Sequence, residues 1–345
     1  MDWHAHEMVF GFFGAILGGF LLTAMPNWTG SPALSGDKLL GLFLTWVGGR
    51  IAMLAFLLGD PSVPVVAFGV AVADLAYPVL LVIYAANQVA AAKAIHNLPV
   101  VIMVGLFGMA NVLFHIAPVT RLDRLFGPHL ALAVAAILIA LIGGRIIPSF
   151  TRNWLVARSN PVLPADFSLV DKIALILVVV GMVAWVFAPD SVYTGLVLGL
   201  AAVWGLVRLW RWRGLQTCSE PLLLILHIGY LWFVASLAAL SLNILLPGML
   251  PGATALHVLT AGGIGVMILA VMTRVVRGHT GRPLTADRTA VAIYLLVNGG
   301  AVIRILAPWL PPDYATVAAI GGLLWSAAFL LFAYTYGPWL FRPKP

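Results

Sequence analysis

Charged residues are scarce in this chain: only 9% of its 345 residues are Asp, Glu, Lys or Arg, whereas 62% are hydrophobic. A soluble domain needs more charge to cover its surface, so the soluble globular class is excluded. A single cysteine rules out an internal disulfide, and with it the disulfide-rich secreted class. Soluble-enzyme motifs are missing as well, because there is no Walker loop and the Gly-x-Gly patterns fall within apolar runs.

Long apolar segments, in contrast, follow one another along the whole chain. They are separated by connectors rich in proline and glycine, which predicts an all-α integral membrane bundle and a single polytopic domain over residues 1–345. The lipid bilayer is then the main partner, and no nucleic acid is expected. The eleven predicted spans are roughly 4–25, 39–58, 63–91, 98–117, 128–147, 169–188, 191–212, 221–246, 253–276, 287–306 and 314–336.

Basic residues are distributed unevenly between the two sides of this bundle. Fifteen Lys and Arg residues fall on the side opposite Met1, and only Arg121 and Arg124 fall in loops on the side of Met1. The positive-inside rule therefore predicts a cytoplasmic C-terminus and an external Met1. An external start without a signal peptide is unusual, so we expect that a preceding helix is missing and that the complete bundle has twelve.

An internal repeat links the first and ninth predicted spans. His6 and His257 are each followed by glycine at +5 and +8 and by Thr-Gly at +23 and +24, and His129 opens a weaker third copy. The copies recur every four spans, which predicts three four-helix units in a pseudo-threefold arrangement. The units cover about 4–117, 128–246 and 253–336, with the first helix missing.

A pseudo-threefold bundle of twelve helices resembles subunit I of the haem–copper oxidases. With the missing helix restored, His6 and His257 occupy the second and tenth helices, which carry haem-ligating histidines in that superfamily. The copper ligands there include a His-His pair on the seventh helix, but the corresponding span at 169–188 has no histidine. The oxidase copper site is not reproduced, and oxygen reduction is not supported.

A closer resemblance covers nearly the whole chain. The strings WHAHEM (3–8), GFLLTAMPNWTG (19–30), GGRIIPSFTRN (143–153), LHIGY (226–230) and MTRVVRGHTGRPL (272–284) are similar to the NnrS family. That family consists of haem- and copper-containing proteins of the bacterial nitric-oxide response. The resemblance implies one or more haem b groups, copper, and a place in the bacterial inner membrane.

The function expected from this resemblance is binding of nitric oxide at a haem or haem–copper site near the periplasmic face. An oxidoreductase that processes nitric oxide, served by an electron-donor protein, is one form of this expectation. Two alternatives stay open. The chain is a secondary transporter of a metal or small anion, or a structural partner of a denitrification complex.

His6 and His257 are the principal candidate haem ligands, because imidazole is the usual protein ligand of haem iron. Facing each other across a porphyrin, they would form a bis-histidine site. Gly11, Gly14 and Gly18 leave a bare stripe on the first span that admits either a flat macrocycle or another helix. Both uses of the stripe remain open.

Further candidates carry alternatives of their own. His4 and Glu7 are candidate metal ligands on one face of the helix. Glu7 can orient the His4 ring or ligate copper, or it simply stabilises the helix N-terminus through its dipole. His115 and His129 are candidates for a second, copper-type site. His227 is either an axial ligand of another haem or a polar residue bonded to a neighbouring helix.

Two arginines fall within the outer halves of predicted spans, where a buried guanidinium needs an anion. Arg50 and Arg304 are therefore predicted to bind haem propionates. Asp74 is the alternative partner for Arg50.

Overall fold

The computed structural model describes residues 2–58 and 64–341, and within those ranges the chain is helical with no strand. Eleven helices are long and apolar enough to cross a membrane, which confirms the all-α multi-pass bundle. They are α1 (Trp3–Thr29), α2 (Gly36–Leu58), α3 (Val65–Ala91), α4 (Ile95–Val119), α5 (Phe126–Val156), α6 (Leu169–Phe187), α7 (Val192–Arg211), α8 (Pro221–Leu245), α9 (Gly252–His279), α10 (Arg288–Trp309) and α11 (Tyr314–Leu340). The predicted start of the third span at residue 63 lies outside the described residues.

Most predicted bounds agree with these helices to within a few residues, and α5 is the main exception. It was expected to end near residue 147, where glycines and Pro148 precede a polar run, but it continues to Val156. The extension is amphipathic and buries Ile147, Thr151 and Leu155, so packing of one face outweighs the weak local helix signal.

Three helices contain a wide π-helical segment: Glu7–Phe13 in α1, Ile139–Gly143 in α5 and Val258–Ile264 in α9. In α1 and α9 the segment begins directly after the histidine of the repeat and spans 7 residues. These are the three helices that the repeat predicts to be equivalent, and none of the other described helices has such a segment. The pseudo-threefold arrangement itself stays a prediction.

Each π segment presents a backbone carbonyl that accepts a hydrogen bond from a side chain of another helix. A wide turn disturbs the regular ladder of backbone bonds, and an apolar bundle has no water to satisfy the carbonyl that is freed. The three pairs are Trp46 Nε1 to Gly11 O at 3.0 Å, Arg208 Nη1 to Ala140 O at 2.9 Å and Trp325 Nε1 to Ala261 O at 3.2 Å.

The helices form two compact units, Met1–Val134 and Ala135–Pro345. In the first unit, α3 packs against α1, α2 and α4. In the second, α8 packs between α7 and α9, and α10 packs against α11. The boundary between the two units falls within α5, and the predicted division into three repeat units stays a prediction.

Candidate metal centre

A buried carboxylate near the middle of α3, that of Asp74, is the meeting point of polar side chains from three other helices. Since the surroundings are apolar, these groups have to satisfy one another. The side chains around Asp74 are His6 and Glu7 from α1, Arg50 from α2, and Asn111 and His115 from α4.

Both oxygens of Asp74 are occupied. Oδ2 lies 3.0 Å from His6 Nε2 and 2.9 Å from His115 Nε2, and it accepts a hydrogen bond from Asn111 Nδ2 at 2.8 Å. Oδ1 pairs with the guanidinium of Arg50. Asn111 Oδ1 also lies 3.2 Å from His6 Nε2. One oxygen therefore faces two imidazoles while the other is held by a fixed cation.

Glu7 extends the cluster on the far side of the His6 ring. Its Oε1 lies 3.0 Å from His6 Nδ1 and accepts a hydrogen bond from Arg50 Nη1 at 2.6 Å. Both ring nitrogens of His6 thus face carboxylate oxygens. The two carboxylates and one guanidinium leave one negative charge, which either a proton on the imidazoles or a bound cation can balance.

The cluster is shielded from solvent. The side chains of His6 and Asp74 are 0% and 1% exposed, and that of His115 is 12% exposed. The rings of Phe10 and Phe114 pack on His6 with centroid distances of 5.2 and 4.8 Å. Low polarity strengthens each charge interaction in the cluster and makes an unpaired charge costly.

His6, Asp74 and His115 fit a transition metal. One ligand atom from each residue lies within 4.8 Å of the other two. Two imidazoles and a carboxylate form a donor set that suits copper, iron or zinc, whereas calcium and magnesium prefer oxygen ligands. A bound ion would be held by the imidazoles of His6 and His115 and the carboxylate of Asp74.

The glycine stripe below His6 does not fit a haem face. A Cβ built on Gly11 would lie 2.5 Å from Arg50 Nη1, and one built on Gly18 would lie 1.8 Å from the Tyr77 hydroxyl. Gly14 faces the ring of a phenylalanine at contact distance. The stripe is thus filled by side chains of neighbouring helices, which is the helix-packing alternative that the sequence left open.

His257 lies in the second unit and His6 in the first, and their pairing across a porphyrin stays a prediction. His257 is half-buried, and its Nδ1 lies 2.6 Å from the Ala253 carbonyl oxygen. Such a bond fixes the tautomer whose lone pair is on Nε2, as is common in haem- and metal-ligating histidines. The glycines that follow contact indole rings, those of Trp232 and Trp325.

Other candidates in the second unit have protein partners. His227 is buried, with Nε2 2.9 Å from Thr151 Oγ1 of α5, which matches the alternative of a histidine bonded to a neighbouring helix. Arg304 Nη2 donates to the Tyr314 hydroxyl at 2.8 Å. Both residues are engaged within the second unit in this arrangement, and their roles as haem ligand and propionate partner stay predictions.

The first-unit candidates divide into members of the cluster and residues outside it. His4 is exposed and His129 half-buried, and neither belongs to the three-residue ligand group. His115 joins His6 and Asp74 in that group. Glu7 contributes more than helix-terminus stabilisation, since it bridges His6 and Arg50.

Asp74 was predicted only as a partner of Arg50, and its role as the centre of the cluster was missed. Asp74 does pair with Arg50, and Asn111 completes its contacts. A sequence signal was present, because Asp74 is the one acidic residue in the middle of a predicted span. An ionisable residue at such a depth indicates a functional site by itself.

Comparison with known proteins gave one result. A family model described as NnrS protein matches residues 1–344, essentially the whole chain. No curated protein and no solved structure matches the chain. The likeness to subunit I of the haem–copper oxidases therefore stays a prediction.

Proposed function

The chain belongs to the NnrS family and is a multi-pass membrane protein of the nitric-oxide response, and from this premise we propose that it binds a transition metal through His6, Asp74 and His115. Copper is the proposed metal, and nitric oxide is the proposed ligand of the centre. The observation that carries the proposal is the convergence of two imidazoles and one carboxylate in a buried, net-negative cluster.

Each residue of the cluster has a distinct part in this proposal. His6, His115 and Asp74 Oδ2 are the metal ligands, and Glu7 holds the His6 ring through Nδ1. Arg50 holds the other oxygen of Asp74 through an ion pair and so fixes the orientation of that carboxylate. Second contacts of this kind orient ligands and are needed for tight metal binding.

The surroundings suit a small apolar gas. A bound copper or iron ion would supply a coordination position for nitric oxide. Phe10 and Phe114 pack around His6 and restrict access of water. Nitric oxide is uncharged and partitions into lipid, so it can reach a centre within the bundle without a polar channel.

We retain His257 as the proposed ligand of a haem b in the second unit. Its bond from Nδ1 to the Ala253 carbonyl supports this role, because it leaves the lone pair on Nε2. We also propose that the histidine-bearing ends of α1 and α9 face the periplasm of a bacterial inner membrane. The excess of basic residues on the opposite side supports this orientation.

Metal content of the purified protein tests the proposal, with two histidines of the first unit as a matched pair. We expect stoichiometric copper by plasma mass spectrometry in the wild type and in His129→Ala, and loss of most of it in His115→Ala. Addition of nitric oxide should change the copper electron paramagnetic resonance signal of the wild type and of His129→Ala only. A folded wild type that takes up no copper on titration would contradict the proposal. The buried charged cluster would then fit the alternative of ion transport better.

Haem is tested separately by the absorption spectrum. A Soret band that shifts with dithionite, and that is lost in His257→Ala but kept in His279→Ala, is the expected result. A colourless preparation that folds stably would remove haem from the proposal while leaving the copper centre to its own test.

A further inference from the structure

A second site is formed by a cavity of about 500 Å³ in the second unit. It lies among α5, α6, α7 and the connector that precedes α6. Its lining combines guanidinium groups with apolar side chains. The residues that matter here are Arg145, Arg152, Arg208, Leu141, Phe167 and Leu175.

Arg208 is buried, with 1% of its side chain exposed, and it is held on three sides. Its Nε donates to Asp171 at 3.0 Å, and its Nη1 donates to the Ala140 carbonyl and the Tyr230 hydroxyl. Its Nη2 makes no hydrogen bond within the part of the chain that the structure describes. This nitrogen lies against Gly144, where a Cβ would be only 2.1 Å away, and Gly144 itself lines the cavity.

The other two arginines add positive charge. Arg152 Nη2 donates to the Pro164 carbonyl and to Asp166, each at 2.6 Å. Arg145 is exposed and makes no hydrogen bond or ion pair with any described residue. Three guanidinium groups thus line the cavity. Asp166 pairs with Arg152 and Asp171 pairs with Arg208, so the charge of Arg145 is left unbalanced. A site with this charge and a free donor on a buried arginine favours an oxyanion.

We infer that this cavity binds the phosphate group of an anionic phospholipid. Guanidinium groups bind phosphate oxygens through paired, charge-assisted hydrogen bonds. Leu141 and Phe167 border the same cavity with 39% and 61% of their surface exposed, which offers an apolar edge to acyl chains. The site also lies on the arginine-rich side of the chain, and basic pockets between helices on the cytoplasmic side are known to take lipid headgroups.

Free phosphate shares the oxyanion chemistry but makes no use of the apolar edge. The two sources are distinguished by native mass spectrometry of the detergent-solubilised protein with added phosphatidylglycerol, with and without millimolar inorganic phosphate. We expect one tightly held phosphatidylglycerol that inorganic phosphate does not displace. Displacement by inorganic phosphate at that concentration would overturn the assignment to a lipid.

Arginine variants test the site itself, and α5 offers a matched control. Arg158 lies in the turn two residues after the end of α5, stacks on Trp154 at 3.8 Å from the ring centroid, and does not line the cavity. We expect about tenfold weaker phosphatidylglycerol binding in Arg145→Gln, a further loss in the double variant with Arg152→Gln, and no change in Arg158→Gln.

Arg145→Gln is the decisive variant, because Arg145 makes no polar bond to the described protein and its loss should not affect folding. Equal phosphatidylglycerol affinity in Arg145→Gln and Arg158→Gln, with unchanged melting temperatures, would refute the inference.

Discussion

The histidine-bearing ends of α1 and α9 share one backbone plan and differ in their side-chain chemistry. In both helices a histidine precedes a seven-residue π segment and a glycine patch. His6 is fully buried in a cluster of charged groups, whereas His257 is half-buried and bonds to the carbonyl of its own helix. A repeated backbone element therefore does not by itself repeat a site.

The difference comes from the helices that follow. Arg50 on α2 and Arg304 on α10 occupy similar places in the two copies, but only the first copy has an acid on its next helix, Asp74. No acidic residue occurs in α11. Arg304 instead donates to Tyr314, and its Nη1 is buried without a hydrogen-bond partner among the described residues. The absence of a counterpart to Asp74 in α11 is therefore one reason why the second copy forms no such cluster.

Removal of that acid should have the largest effect. In Asp74→Asn, two imidazoles and Arg50 lose the charge that they share, so we expect a loss of about 3 kcal/mol in unfolding free energy, together with loss of copper. Thermal unfolding in detergent and metal analysis measure the two effects. Asp313→Asn, which alters an exposed helix cap, is the control and should retain the metal. Equal melting temperatures in the two variants would show that the cluster is not a coupled unit.

Variants of the two histidines should separate the two proposed cofactors, copper and haem. We expect His6→Ala to lose copper and His257→Ala to keep it, because only His6 lies among the ligand atoms of the first unit. Haem content should show the reverse order. Metal analysis and the absorption spectrum of the same preparations measure both. If both variants lost the same cofactor, the result would instead support the predicted site in which His6 and His257 face each other across one porphyrin.

Glycine substitutions test whether side chains of neighbouring helices fill the glycine surfaces of α1 and α9. Gly18→Ala would press on the Tyr77 hydroxyl and Gly265→Ala on the Trp325 indole, so we expect each to cost about 1–3 kcal/mol of stability. Gly19→Ala, beside the first of these, meets no atom within 4 Å and should stabilise the helix by up to about 1 kcal/mol. The melting temperatures of the three variants measure these effects. A Gly18→Ala variant as stable as Gly19→Ala would mean that the stripe is not filled by side chains.

The smallest effect is expected at the ion pair of Asp287 with Arg277. Partial burial opposes ionisation of Asp287, but the hydrogen bond from the Ala290 backbone and the Arg277 guanidinium outweigh it and lower its pKa. A depressed pKa contributes stability above the unfolded value near 3.9, and this contribution is lost as pH falls through the folded value.

The Asp287 side chain is 47% exposed, so solvent screening limits the contribution to about 1 kcal/mol or less. The difference in melting temperature between wild type and Asp287→Asn should therefore shrink below about pH 4. A difference in melting temperature that stays constant from pH 7 to pH 3 would contradict the lowered pKa of Asp287. The Asp287 ion pair and the Asp74 cluster would then be less clearly distinguished.

The helices were predictable because each span is long and apolar, and their bounds follow from that pattern alone. The end of α5 was not predictable in this way, because its extension past Pro148 depends on burial of one helix face. His6 and Arg50 were identified as candidate residues because polar groups in apolar spans are rare. The pairing of Arg50 with Asp74 was named as an alternative. The partners of His6 could not be assigned, because its contacts to Asp74 and Asn111 depend on how the helices rotate about their axes, which hydropathy does not fix.

The π segments have a consequence for how sequence changes act on these helices. A π turn holds more residues than an α turn, so the seven residues Glu7–Phe13 correspond to an inserted residue accommodated within an otherwise regular helix. Deleting one residue there would restore uniform α-helix and turn everything on its N-terminal side by about 100°. His6 would then point away from Asp74 while the glycine surface below it kept its contacts. The wide turn is what allows one helix to serve two differently oriented faces at once.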